Sequence, residues 1–118
     1  MIDLNGIKKV YLFSGATDFR KGMYGLLQMV NLEFDLENIN DVIFLFVNST
    51  KTGVKILQKD YTGLWLYYKR LDKGKFVIPN TTTNAIITPD ELKIILTGLD
   101  FIKLLEKNDK KEKKIQFF

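Results

Sequence analysis

The sequence predicts an α+β fold: a curved, mostly antiparallel sheet or small open barrel of about six strands, with one helix after the first strand and one or two C-terminal helices. Three observations carry this. Residues 53–79 (GVKILQKDYTGLWLYYKRLDKGKFVIP) are dominated by strand-favouring side chains and interrupted by Asp60-Tyr61-Thr62-Gly63 and Asp72-Lys73-Gly74, both turn-formers ending in glycine. Residues 42–47 (VIFLFV) are apolar without alternation, as in a strand covered on both faces. Thr88-Pro89-Asp90-Glu91 is a helix start, with Thr88 as cap, proline in the first turn and Glu91 completing a capping box.

In chain order, residues 7–14 (IKKVYLFS) read as a first strand, closed by a Ser14-Gly15-Ala16-Thr17 turn. A helix is expected from Asp18 to about Leu32, with Thr17 or Asp18 as N-cap and Phe19, Met23, Leu26 or Leu27, and Val30 at helical spacing. Gly22 and Gly25 each cost a helix about 1 kcal/mol against alanine, so this one depends on packing, and small residues suit close approach to a sheet. An acidic loop over 33–41 leads to the strand at 42–47. The polar stretch 48–53 connects it to the meander, whose last strand is expected at 75–78. A polar loop over 80–84 precedes a short strand at 85–87. The capped helix follows, with Leu92, Ile95 and Leu96 as its buried stripe and Gly98 suited to a left-handed stop. Another helical segment is expected from Asp100, then a Lys-rich, frayed tail from about 106 to 118. The whole reads as one domain over 1–118, with its core in 7–100.

The register of the hairpin around Gly63 decides what its faces present. A three-residue loop with Gly63 left-handed pairs Lys59 with Trp65 and gathers Lys55, Leu57, Lys59, Trp65, Tyr67 and Lys69 on one face. A two- or four-residue loop slips the pairing by one and puts Lys55 and Lys59 beside Leu64 and Leu66. The first register is favoured because it separates charge from aliphatic surface.

Composition excludes several chemistries. The 118 residues contain neither cysteine nor histidine, which removes disulfides, thiolate catalysis, thiolate-bound zinc and histidine-based triads. A net charge of +4 suits a polyanionic partner without requiring one. No run approaches the ~18 apolar residues of a membrane span and no signal-peptide pattern opens the chain, so the cytoplasm is the expected location.

Three blocks resemble a known family, the small TnpB-type accessory protein of bacterial insertion sequences of the IS-sixty-six type. These are residues 10–22 (VYLFSGATDFRKG), residues 43–76 (IFLFVN, VKIL, Asp60-x-x-Gly63 and LWLYYKRLDKGKF), and residues 87–100 with the ending Leu96-Thr97-Gly98-Leu99-Asp100. The likeness departs at 48–54, where the family is richer in arginine, and at Gln58-Lys59, where tryptophan is common. The resemblance implies a non-catalytic accessory role in DNA transposition, beside a separate transposase that carries the catalytic carboxylates. DNA and that transposase are the implied partners.

Two groups of residues are candidates for binding. Thr17, Asp18, Arg20 and Lys21 stand at a strand-to-helix junction, where free backbone N–H groups and two bases suit an anion. The same pattern also describes a helix cap with two solvated bases. Lys55, Lys59, Trp65, Tyr67, Lys69, Arg70 and Lys73 form a basic and aromatic set that suits unpaired bases and phosphates, a protein partner, or a half-buried packing face. A homo-oligomer built on such a face is a further reading. Asp18, Asp60, Asp72 and Asp100 are the best-placed carboxylates for a metal-dependent nuclease, but each stands where a cap or turn already calls for aspartate. No enzyme activity, cofactor or metal is therefore expected.

Overall fold

The strand over 42–47 lies at the centre because its two faces bury against different partners. In the computed structural model, which describes residues 2–34 and 41–98, β1 (Lys9–Leu12), α1 (Met23–Asn31), β2 (Val42–Val47), β3 (Gly53–Lys59), β4 (Leu64–Arg70), β5 (Ala85–Ile87) and α2 (Pro89–Thr97) follow in order. The strands form one five-stranded sheet in the order β4-β3-β2-β1-β5. β1 and β2 run parallel, joined through α1, and the other three neighbouring pairs are antiparallel.

Ile43, Leu45 and Val47 of β2 join Val10, Leu12, Val54, Ile56 and Ile87 in one buried cluster, closed by Leu92 and Ile95 of α2. Phe44 and Phe46 point the other way and join Phe13, Leu57, and Leu26 and Val30 of α1. Alternation along β2 thus sorts aliphatic from aromatic side chains, and each fully buried one contributes about 1.5–3 kcal/mol. A helix covers each face of the sheet.

The α+β class, the mainly antiparallel pairing and an open sheet are as the sequence predicts, with five strands among the described residues where about six are expected. Residues 75–78 add no strand. The amide of Phe76 bonds to the Lys51 carbonyl (2.7 Å) and its ring enters the α2-side cluster, so the segment closes the end of the sheet instead of extending it. α1 begins at Met23, five residues later than expected from Asp18, with Gly22 at its cap and no side-chain cap bond. Neither Thr17 nor Asp18 caps it, because residues 17–22 are held as a loop by contacts described below. The glycines do not bring α1 onto the sheet either: a Cβ at Gly25 would meet the stem of Lys21 at 3.1 Å, and one at Gly22 would meet nothing within 4 Å.

α2 follows its sequence signals closely. The Thr88 hydroxyl accepts from the Glu91 amide and the Glu91 carboxylate accepts from the Thr88 amide, each at 3.1 Å. Gly98 closes the helix in the left-handed region with φ 74°. The segment expected from Asp100 and the Lys-rich tail lie outside the described residues, as does most of the acidic loop over 33–41. The reciprocal cap generates a first prediction. Thr88→Ala is expected to lower stability by about 1 kcal/mol in urea denaturation, with an unchanged denaturant slope.

Candidate functional site

Three loops meet at one end of the sheet. The parallel strands β1 and β2 end there side by side, β3 and β5 begin there, and β4 ends there. Residues 13–22, 48–52 and 71–84 are therefore neighbours, at the position where open sheets with a parallel crossover bind ligands.

Each loop is tied by backbone. Thr17 donates its amide to the Val47 carbonyl (2.8 Å) and is 6% exposed. Ser14 donates its amide to Asn84 Oδ1 (2.8 Å), and Asn84 Nδ2 donates to Glu33 Oε1 (2.9 Å). The Tyr11 hydroxyl also donates to Glu33. Burial, and then that carboxylate, push the Tyr11 phenol above its ordinary value. Asn48 Oδ1 accepts from the amides of Thr52 (2.9 Å) and Gly53 (3.0 Å), a side-chain-made turn that sets the start of β3. A Cβ at Gly53 would meet Asn48, Phe19 and Tyr68, each at 3.2 Å, so these three side chains would have to give by a few tenths of an ångström to admit one.

Lys55 fastens the crossover loop to the sheet. It is 6% exposed, and its Nζ donates to the carbonyls of Phe19 and Lys21, both at 2.9 Å. The same ammonium stands 4.9 Å from the Phe19 ring centre and 5.3 Å from that of Tyr68, and the two rings meet edge to face. Two carbonyls and two π faces replace the water that burial removes. With its carbonyls held inward, the loop presents Arg20 and Lys21 to solvent. Arg20 closes back on Asp18 through Nη2 to Oδ2 (2.7 Å) and through Nε to both oxygens (3.1 Å). These bonds hold the Asp18 carboxyl down at about 2, well below its ordinary 3.8. An open cleft of about 650 Å³ lies between Thr17–Arg20 and Asn48-Ser49.

The expected single basic–aromatic face is not formed. Lys59 pairs with Leu64, Gln58 with Trp65 and Lys55 with Tyr68, one residue out of the favoured register. Gly63 is not left-handed; the Asp60 amide donates to its carbonyl (2.9 Å), and Asp60 Oδ1 accepts from the Thr62 and Gly63 amides, both at 2.9 Å. Asp60 Oδ2 takes the Trp65 indole N–H (2.7 Å). The tight turn and the carbonyls waiting for Lys55 together outweigh the separation of charge from aliphatic surface. Lys55, Lys59 and Arg70 consequently lie on the α1 side, and Trp65, Tyr67 and Lys69 on the α2 side. Trp65 is 55% exposed and stacks on the half-buried Tyr67 at 6.3 Å. Lys69 donates to the Leu96 carbonyl, a cation at the C-terminal end of α2.

The structure instead gathers Thr17, Asp18, Arg20, Lys21, Lys55, Arg70 and Lys73 at the loop end. Asn48, Lys51, Tyr68 and Asn84 also belong there and are absent from the sequence candidates. Asn48 ahead of a Thr-Gly pair carries an aspartate/asparagine-turn signal, whereas nothing local marks the left-handed Lys51 (φ 58°). Among the described residues, no three of His, Cys, Asp and Glu converge as a metal site would need, and Asp100 lies outside them. No described helix is long and apolar enough to cross a membrane.

The family model described as IS66 Orf2 like protein matches residues 8–106. The chain belongs to that family. The IS66 Orf2-like chain is 33% identical over 94 residues to the uncharacterized protein y4hO of Sinorhizobium fredii (strain NBRC 101917 / NGR234), covering 79% of this chain and 82% of the relative. It is 27% identical over 108 residues to the uncharacterized protein y4jC of the same strain, covering 91% and 92%. No solved structure matches it. Membership makes this IS66 Orf2-like chain a transposition-associated accessory protein.

Two outcomes follow from the loop geometry. Lys55→Met keeps the stem but leaves the Phe19 and Lys21 carbonyls unpaired. It is expected to cost about 1–3 kcal/mol and to speed amide exchange over residues 17–22 more than in β2. Because the folded-state value of Asp18 is depressed, the stability its pair provides is complete above about pH 4 and lost as pH falls through about 2. Carbon-detected NMR titration is expected to give Asp18 a midpoint near 2. Arg20→Ala is expected to move it back toward 3.8.

Proposed function

We propose that this protein is a non-catalytic accessory factor of DNA transposition, working in the cytoplasm and binding nucleic acid through its loop end. One observation carries the reading. The loops there bring together Arg20, Lys21, Lys51, Arg70, Lys73 and Lys75 against Asp18 and Asp72, while the Lys55 clamp keeps Arg20 and Lys21 outward. A cationic end on a rigid sheet suits phosphate contacts that position a partner without reading bases. The chain's lack of histidine and cysteine fits a binding role rather than a chemical one.

A second reading has its own observation. Asp18 neutralises Arg20 at the centre of this end, which favours a partner surface offering both signs, such as that of the element's transposase.

Fluorescence anisotropy with short single- and double-stranded DNA across a salt series tests the first reading. For double-stranded DNA, log K is expected to fall with log salt at a slope of about −0.9 per phosphate neutralised. The Arg20→Ala/Lys21→Ala double variant is expected to flatten that slope by about 2 and to weaken low-salt binding about tenfold. A slope near zero in the unmodified protein would overturn DNA binding. Salt-sensitive capture of the transposase would then assign the end to that partner.

A further inference from the structure

We propose that two copies of this chain pair antiparallel along the open edge of β4, joining their sheets about a two-fold axis at Tyr67. The edge is seven residues long (LWLYYKR), whereas β5 at the opposite edge has three. Its outward backbone groups follow from the register. Asp60 donates its amide to the Gly63 carbonyl and Leu71 donates its own to that of Thr52, so these pairs and every second pair between them exchange the β3–β4 bonds. Trp65, Tyr67 and Lys69 therefore direct their N–H and C=O groups at β3. Leu64, Leu66, Tyr68 and Arg70 direct theirs off the sheet, where no described residue bonds them. Such an edge is a template for another strand.

A second copy fits this template in one direction. Pairing about Tyr67 sets Leu64 against the partner's Arg70 and Leu66 against the partner's Tyr68, the residues whose outward backbone groups no described residue bonds. It sets Trp65 against the partner's Lys69 and Tyr67 against the partner's Tyr67 in the closer, non-hydrogen-bonded positions. The Trp65–Tyr67 stack then continues across the axis as one row of rings, with a lysine stem on each outer ring. Lys69 of one strand meets the end of the other where, on the same face, the Asp60 carboxylate holds the Trp65 indole. A parallel arrangement would instead put the cations of both strands side by side. The two loop ends point to opposite poles and share only Arg70 with the paired edge, so Arg20 and Lys21 stay uncovered and the pairing is tested separately from DNA binding.

Sedimentation velocity from about 1 to 200 µM and cysteine cross-linking test this. The chain has no cysteine, so Tyr67→Cys introduces a single thiol. Across the axis the two Cα atoms would be about 4.5 Å apart, within disulfide range. Concentration-dependent dimers, and an oxidised Tyr67→Cys dimer formed far faster than from the 99%-exposed control Tyr61→Cys, are expected. Trp65→Lys is expected to weaken association about tenfold or more by facing the partner's Lys69, and Lys69→Glu added to it should restore pairing. Circular dichroism checks that each variant is folded. A strictly monomeric species at 200 µM would overturn the proposal. So would a dimer indifferent to Trp65→Lys whose Tyr67→Cys form does not cross-link.

Discussion

A buried ammonium governs this structure. Lys55 sits in the middle of an apolar strand, where an unpaired charge would cost several kcal/mol, and it is tolerated because the crossover loop brings two carbonyls to it. The dependence runs both ways. Without the ammonium, residues 17–22 have no reason to turn their carbonyls toward the sheet, and α1 has no reason to wait until Met23. Without the loop, the Lys55 ammonium would have to face water. Gly53 serves the same junction from the backbone side, admitting Phe19 and Tyr68 to the space a side chain would fill.

From that constraint follows the distribution of the aromatic residues. With Lys55 on the α1 side, Tyr68 opposite it must lie there too, and Trp65 and Tyr67 are sent to the α2 side. The hairpin turn agrees with this assignment, because the Asp60 carboxylate satisfies two turn amides and reaches the Trp65 indole. Its pKa is lowered first by the indole bond and then by the amides, as expected of a carboxylate used as an acceptor. Turn chemistry and buried charge thus select one register together, and side-chain polarity along the strands does not.

This explains which parts of the fold were legible in the sequence. The run 42–47 announces a strand covered on both sides, and Thr88-Pro89-Asp90-Glu91 with Gly98 announces α2 at both ends, since these signals are local and their partners lie within one turn or one strand. The α1 start and the hairpin register depend on bonds between Lys55 and residues 34 and 36 positions away, which no local pattern encodes. Assigning charged residues to the solvent face is a sound average rule. It fails here because long side chains carry their charge several ångströms from the strand that bears them. Thr17, Asp18, Arg20 and Lys21 are singled out by a strand-to-helix junction inside a family-like block, although the capping role expected of Thr17 or Asp18 is not the one they serve. Asn84 was not found, since its importance comes from bonding Ser14, 70 positions away.

The same register that divides the basic and aromatic residues gives the molecule two separate kinds of surface. The loop end is polar, cationic and braced by backbone bonds to the ends of the central strands, so a partner docking there meets a preformed shape and contributes little ordering entropy. The β4 edge offers backbone groups and rings, and any partner there must supply a strand. Had the hairpin formed with a three-residue loop, lysines and rings would have shared one face and one partner would have occupied both. With the pairing as it is, the Arg20 and Lys21 loop and the outward groups of Leu64, Leu66 and Tyr68 are separate surfaces that adjoin at Arg70.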